Sequence, residues 1–133
     1  MALLDEIAAR LIQQVVGVQG STASWTVFKG HEPETPDAVI TLFETGGLPN
    51  QPHEGDLLDL PSFQVRIRGT STGYAAARTK MAAARTALEG MTGTFSNRYY
   101  CQVVAQSEPI SLGHDGSHRP RLTMNFVAHR SRN

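Results

Sequence analysis

The chain has 133 residues, 40% of them apolar and 18% charged, the balance of one folded domain rather than of a disordered segment. No apolar run approaches the roughly 18–20 residues needed to span a bilayer, so no membrane partner is expected. The single cysteine, Cys101, excludes an internal disulfide and a Cys-rich zinc site.

Residues 3–16 place Leu3, Leu4, Ile7, Leu11, Ile12 and Val15 at helical spacing, with Asp5, Glu6 and Arg10 on the other side and Gly17 as the stop. The same acids occupy the place where a signal peptide needs basic residues, so secretion is not expected. Trp25–Lys29 reads as a short strand, and residues 38–44 as a second one ended by Gly46-Gly47. A stretch dense in Gly, Pro and acids follows from Glu44 to Asp59. From Phe63 to Arg68 the alternation is strict: Phe63, Val65 and Ile67 face one way, and Gln64, Arg66 and Arg68 the other. Residues 73–89 form a second helix with the stripe Tyr74, Ala77, Met81, Ala84 and Leu88, closed by Gly90. Two more strands span Arg98–Gln106 and Arg121–His129, and a second long loop, residues 107–120, lies between them.

This order predicts an α+β fold over a single domain, residues 1–133: a mainly antiparallel sheet with two helices packed on one face. The opposite face, with Gln64, Arg66 and Arg68, is then left for a partner. Loops as long as 44–61 and 107–120 in a compact domain are either disordered or used for binding.

Charge is unevenly spread. Residues 1–60 hold nine acids against Arg10 and Lys29, a net −7, while residues 61–133 hold ten bases against Glu89, Glu108 and Asp115, a net +7. Two readings stay open: the halves lie against each other within one domain, or an acidic surface of one copy meets a basic surface of the next.

Catalytic chemistry finds no foothold. His114, Asp115 and His118 would share a face only on a helix, and "LGHDGSHRPR" is too rich in glycine and proline to be one, so a polar loop is the better reading than a metal site. His31 and His53 lie in other loops without motif spacing. G-x-S-x-G, GxGxxG and P-loop patterns are missing. Asp56 and Asp59 read as solvated loop acids. No cofactor is implied. Arg66, Arg68, Arg78, Arg85, Arg119, Arg121, Arg130 and Arg132 could line a phosphate surface, but zero net charge argues against nucleic acid as the main partner. The tail "AHRSRN" reads as a frayed basic end, or as one in which Arg130 and Arg132 reach a neighbouring subunit.

Three runs in order, "PDAVITLFETGGLP" (Pro36–Pro49), "LPSFQVRIRG" (Leu60–Gly69) and "PISLGHDGSHRPRLTMNFVAHR" (Pro109–Arg130), together with the Ala-rich helix Tyr74–Leu88, resemble the small tail terminator proteins of long-tailed phages. The resemblance covers most of the chain and implies an α/β sandwich without catalysis or cofactor. It also implies a ring, commonly of six copies, that caps the tail tube, stops its polymerisation and meets a head-completion or neck protein. DNA would pass through the lumen only transiently. The location implied is the head-proximal end of the tail in the virion, after assembly in the host cytoplasm. A head-completion or neck protein, or a nucleic-acid-binding α+β module, is the alternative.

In a closed ring one surface of each copy meets a different surface of the next. The interface candidates are the acids Glu44, Glu54, Asp56 and Asp59, set against Arg66, Arg68, Arg78, Arg85, Arg130 and Arg132.

Overall fold

The computed structural model describes residues 3–48 and 58–131. Its elements in chain order are α1 (Leu3–Gln13), β1 (Thr26–Lys29), β2 (Val39–Leu48), β3 (Leu58–Arg68), α2 (Tyr74–Glu89), β4 (Gly93–Phe95), β5 (Arg98–Ala105), β6 (Ile110–His114) and β7 (Pro120–Ser131). Seven strands form one sheet in the order β1-β2-β3-β7-β5-β4, and β6 also pairs with β7. Only β1 and β2 run parallel; every other pair is antiparallel. The α+β architecture read from the sequence is the one observed.

Both helices cover the same face. Ile40, Leu42, Phe63, Val65, Ile67, Leu122, Met124, Phe126 and Ala128 point from the central strands into a core closed by Ile7 and Leu11 of α1 and by Ala77, Met81, Ala84 and Leu88 of α2. Each large aliphatic side chain removed from water here contributes roughly 1.5–3 kcal/mol. Phe63 and Phe126 are direct cross-strand partners and stack at 5.4 Å with an interplanar angle of 12°. The alanines of α2 let its axis approach the sheet, whereas Tyr74, assigned by spacing to its apolar stripe, is exposed.

Four features depart from the sequence reading. First, α1 stops at Gln13 without the help of Gly17. The amide of Val16 donates to the Leu11 carbonyl (2.9 Å) and that of Val15 to Ile12 (3.0 Å), the paired bonds of a Schellman ending. The left-handed position falls on Val15, at φ 58°. Val16 packs inward, but the Val15 side chain, expected in the core stripe, is 84% exposed.

Second, Glu6 lies inside, because its side chain reaches Tyr100 of β5 and Arg130 of β7. Its carboxylate accepts hydrogen bonds from the Tyr100 hydroxyl and from Arg130 Nη1 (2.7 Å). Arg130 is therefore a buried strand residue and not a frayed tail. Burial first, and then the hydrogen bond to Glu6, hold the Tyr100 hydroxyl far above its ordinary pKa, so it stays a donor.

Third, the glycines after Glu44 do not end β2. A bulge between Glu44 and Gly46 absorbs the extra residue, and pairing resumes with Gly46 opposite Ser62 and Gly47 opposite Pro61. Gly47 has φ 96°, and a Cβ there would fall within 2.3 Å of the Leu60 carbonyl oxygen, so close backbone approach requires glycine. The described parts of the expected loop, 44–48 and 58–61, are thus strand, with Asp59 in β3; residues 49–57 lie outside the described part.

Fourth, the second expected loop contains β6, which pairs with β7 from Ile110 opposite Thr123 to His114 opposite Pro120. The short β4 was also not read, since three residues carry no period.

A β-branched residue at a left-handed position costs roughly 1–2 kcal/mol. Val15→Gly is expected to stabilise the monomer by about 1 kcal/mol after glycine's greater freedom in the unfolded chain is subtracted. An increased urea midpoint at unchanged slope is the expected result.

Candidate functional site

The sheet face opposite the helices was expected to be free, with Gln64, Arg66 and Arg68 exposed on it. One end of it is covered. β1 and β2 are parallel, so the chain must cross back between them, and residues 30–38 do this as a strap without regular structure. Its inward carbonyls need donors. Arg68, only 2% exposed, supplies them: Nε donates to the Asp37 carbonyl (2.9 Å) and Nη2 to those of Pro36 (2.8 Å) and Glu34 (3.4 Å). Arg119 donates through Nη1 to the Glu34 carbonyl (2.6 Å) and to Asp37 Oδ1 (3.2 Å), and through Nε to Asp115 Oδ2 (2.8 Å). Glu32 lies 3.9 Å from Arg68 and 3.7 Å from Arg121. Three arginines, from β3, the β6–β7 turn and β7, clasp one acidic strap.

Electrostatics follow the burial. Burial, and next the positive charge of Arg119, lower the Arg68 pKa, yet a guanidinium stays charged at any working pH. Burial alone would raise the Asp115 carboxyl. Hydrogen bonds from the Arg119 side chain and the backbone amides of Arg119 and Ser117 outweigh it and bring Asp115 from 3.8 to about 2.

The other half of this face is partly open. Arg66 is half-buried, lies over the Phe43 ring at 4.9 Å and donates to Gln64 Oε1 (3.2 Å); Gln64 donates in turn to Asn125 Oδ1 (3.3 Å). Of the remaining interface candidates, Asp59 lies 3.7 Å from Arg98 and 4.0 Å from Arg130. Arg85 pairs with Glu89 (3.2 Å) and Glu108 (3.0 Å) on the helix side. Glu44 and Arg78 are exposed. Glu54, Asp56 and Arg132 lie outside the described residues. The structure therefore corrects the placement of Arg68 and Arg130: both are buried and are held within their own subunit.

The charge asymmetry resolves the same way. Acids of the first sixty residues pair with bases of the remainder: Glu6 with Arg130, Glu32 with Arg68 and Arg121, Glu34 and Asp37 with Arg119, and Asp59 with Arg98. His31, His114 and His118 are exposed, and Asp115, between the last two, is turned to Arg119. Among the described residues no three His, Cys, Asp or Glu side chains converge as a metal site. Cys101 is exposed at the bulge in β5.

What sequence reasoning missed is apolar. Val15, Val18, Tyr99, Val104, Ile110 and Leu112 are all 40% exposed or more. The alternation in "ISLGH" signalled a strand, but the glycines and proline after it suggested a loop.

A family model described as bacteriophage tail terminator protein matches residues 10–132. The chain belongs to the bacteriophage tail terminator family. Membership makes this tail terminator homologue a structural protein of the phage particle. The fold is similar to that of a chain in the solved virion of a native gene transfer agent particle, with a TM-score of 0.70 at 16% identity, covering 98% of this chain and 95% of that one. No curated protein sequence matches the chain.

Two outcomes follow for this terminator domain. Arg68→Ala strands several buried carbonyls and is expected to cost about 3 kcal/mol, whereas Arg78→Ala is expected to change stability by less than about 0.5 kcal/mol; urea unfolding compares them. Because the Asp115 carboxyl is depressed in the folded state, its contribution to stability is complete above 3.8 and disappears as the pH falls through about 2. Asp115→Asn should remove that part of the acid dependence, read from unfolding midpoints between pH 5 and about 2.

Proposed function

We propose that the protein closes the head-proximal end of a tail tube as a ring of identical copies, commonly six. The ring stops tube polymerisation and presents the surface on which a head-completion or neck protein docks. The observation that carries this reading is the family match along nearly the whole chain, 10–132. The work is mechanical, and DNA is a passing occupant of the lumen. The zero net charge of the chain suits a channel that does not retain it. Assembly takes place in the host cytoplasm and the finished location is the virion tail.

Complementary charge makes a smaller contribution to subunit docking than the sequence suggests. Arg68 and Arg130 are engaged in their own subunit, and Arg66, Arg78, Arg85 and Glu44 remain as candidate rim contacts. Rim charges of this kind set orientation and association rate more than affinity.

Tube protein polymerising in vitro provides the test. Substoichiometric terminator added during growth should give shorter tubes carrying one capped end in negative-stain images. Tubes of unchanged length with no density at either end would remove the capping role. Salt-dependent DNA binding by the monomer would favour the nucleic-acid module instead.

A further inference from the structure

The exposed large aliphatic side chains segregate to opposite edges of the sheet. At one edge is β6, whose five residues are all exposed and which pairs only with β7. Among the described residues no strand lies beside its outer row of N–H and C=O groups. Proteins usually blunt such an edge with charge or proline. β6 is short and has a bulge between Ser111 and Gly113, but it has neither charge nor proline, and it presents Ile110 (46% exposed) and Leu112 (40% exposed). Val104 of β5, also 40% exposed, lies on the same side of β7.

At the other edge, beyond β1, a groove of about 790 Å³ runs between α1 and the residues that precede β1. Its lining includes Ala8, Ala9, Ile12 and Val27, with Asp5 and Lys29, an ion pair, among its polar residues. Gln13 and Gln19, also in the lining, bracket the turn that carries Val15. That turn holds a β-branched residue at φ 58° that is 84% exposed, which disfavours the monomer twice, through strain and through exposure. The outer edge of β1 itself meets a single bridge, Val18 to Thr26.

We infer that the β6 edge of one copy docks against the α1–β1 groove of the next, with Ile110 and Leu112 entering over Ala8 and Ala9 and Val15 closing against them. This rests on the reading that copies assemble, and it names the two surfaces. The occupant is a second copy because the two patches match in kind: projecting aliphatics without charge at one edge, and an alanine-lined groove at the other. The β1 and β6 edges flank β2, β3 and β7, so their union is head-to-tail, the only relation that can propagate around a ring. Glu6, Arg68, Arg119 and Arg130 are buried in ion pairs of their own subunit, which leaves apolar area to carry the contact.

Three variants test it. Leu112→Glu and Ala9→Glu place a charge at exposed positions, one on each surface, and circular dichroism checks that each stays folded. Wild type is sized by multi-angle light scattering over a concentration series, alone and with tail tube protein. Each variant should lose self-association by about thirtyfold or more. Mixed together, they should form a complex that stops at two copies, because each retains the surface the other lacks. Val15→Gly should melt about 2–4 °C higher and yet associate less well, a combination that a purely structural residue would not give.

Wild type that assembles while Leu112→Glu and Ala9→Glu assemble equally well would overturn this contact and leave the ring standing. Loss in Leu112→Glu alone would point to β6–β6 pairing and overturn it too. Wild type that stays monomeric under every condition, with tube protein included, would remove both.

Discussion

Everything on the second face of the sheet depends on a geometric demand made by one pair of strands. β1 and β2 are parallel, so the chain has to recross the sheet between them, and it does so in nine residues without a helix. A helix would satisfy its own carbonyls; a strap cannot. The guanidinium of Arg68 replaces that internal bonding with three backbone acceptors, and Arg119 shares one of them, the Glu34 carbonyl, and bonds two carboxylates besides. Arginine suits this position because its planar fork of donors stays charged when buried. Lysine would offer fewer directed bonds at a greater desolvation penalty. With the strap held down, Val39, Thr41 and Thr123 are buried at that end of the face.

The same clasp explains an apparent paradox of composition. A chain with an acidic front and a basic back looks built for partners of opposite sign. The β2–β3 pairing and the strap before β2 bring Glu32, Glu34 and Asp37 of the acidic front against Arg68, Arg119 and Arg121 of the same subunit, and those charges are engaged there. The Glu6–Tyr100–Arg130 cluster does the equivalent on the helix side, tying the first turn of α1 to the last strand. The surface left for other proteins includes exposed apolar side chains at Val15, Val18, Val104, Ile110 and Leu112. Such contacts are less screened by salt than ion pairs are.

Much of the fold was legible because periodicity is a local property. The alternation of Phe63, Val65 and Ile67 and the helical spacing of Ala77, Met81, Ala84 and Leu88 identify their buried faces directly. Glu6 and Arg68 could not be read that way. A charged residue at a polar position of an amphipathic pattern looks solvated until its distant partner is known, and their partners lie 94 or more and about 31 to 34 residues away. Val15 failed for another reason: it keeps the helical spacing, but the helix ends two residues before it. Gly46-Gly47 illustrates the converse, since glycines usually signal a turn and here permit a bulge and a close strand approach. The resemblance to tail terminators survived these errors because it rests on the order of whole segments rather than on any one side chain.

Trp25, the sole tryptophan, immediately precedes β1, beside the groove-lining strand, with Lys80 of α2 over its ring at 5.2 Å. Its indole is half-buried at the very edge where a neighbour would arrive. The chain thus carries a native fluorophore at the proposed junction, whose emission colour and quenching would track subunit arrival without any label.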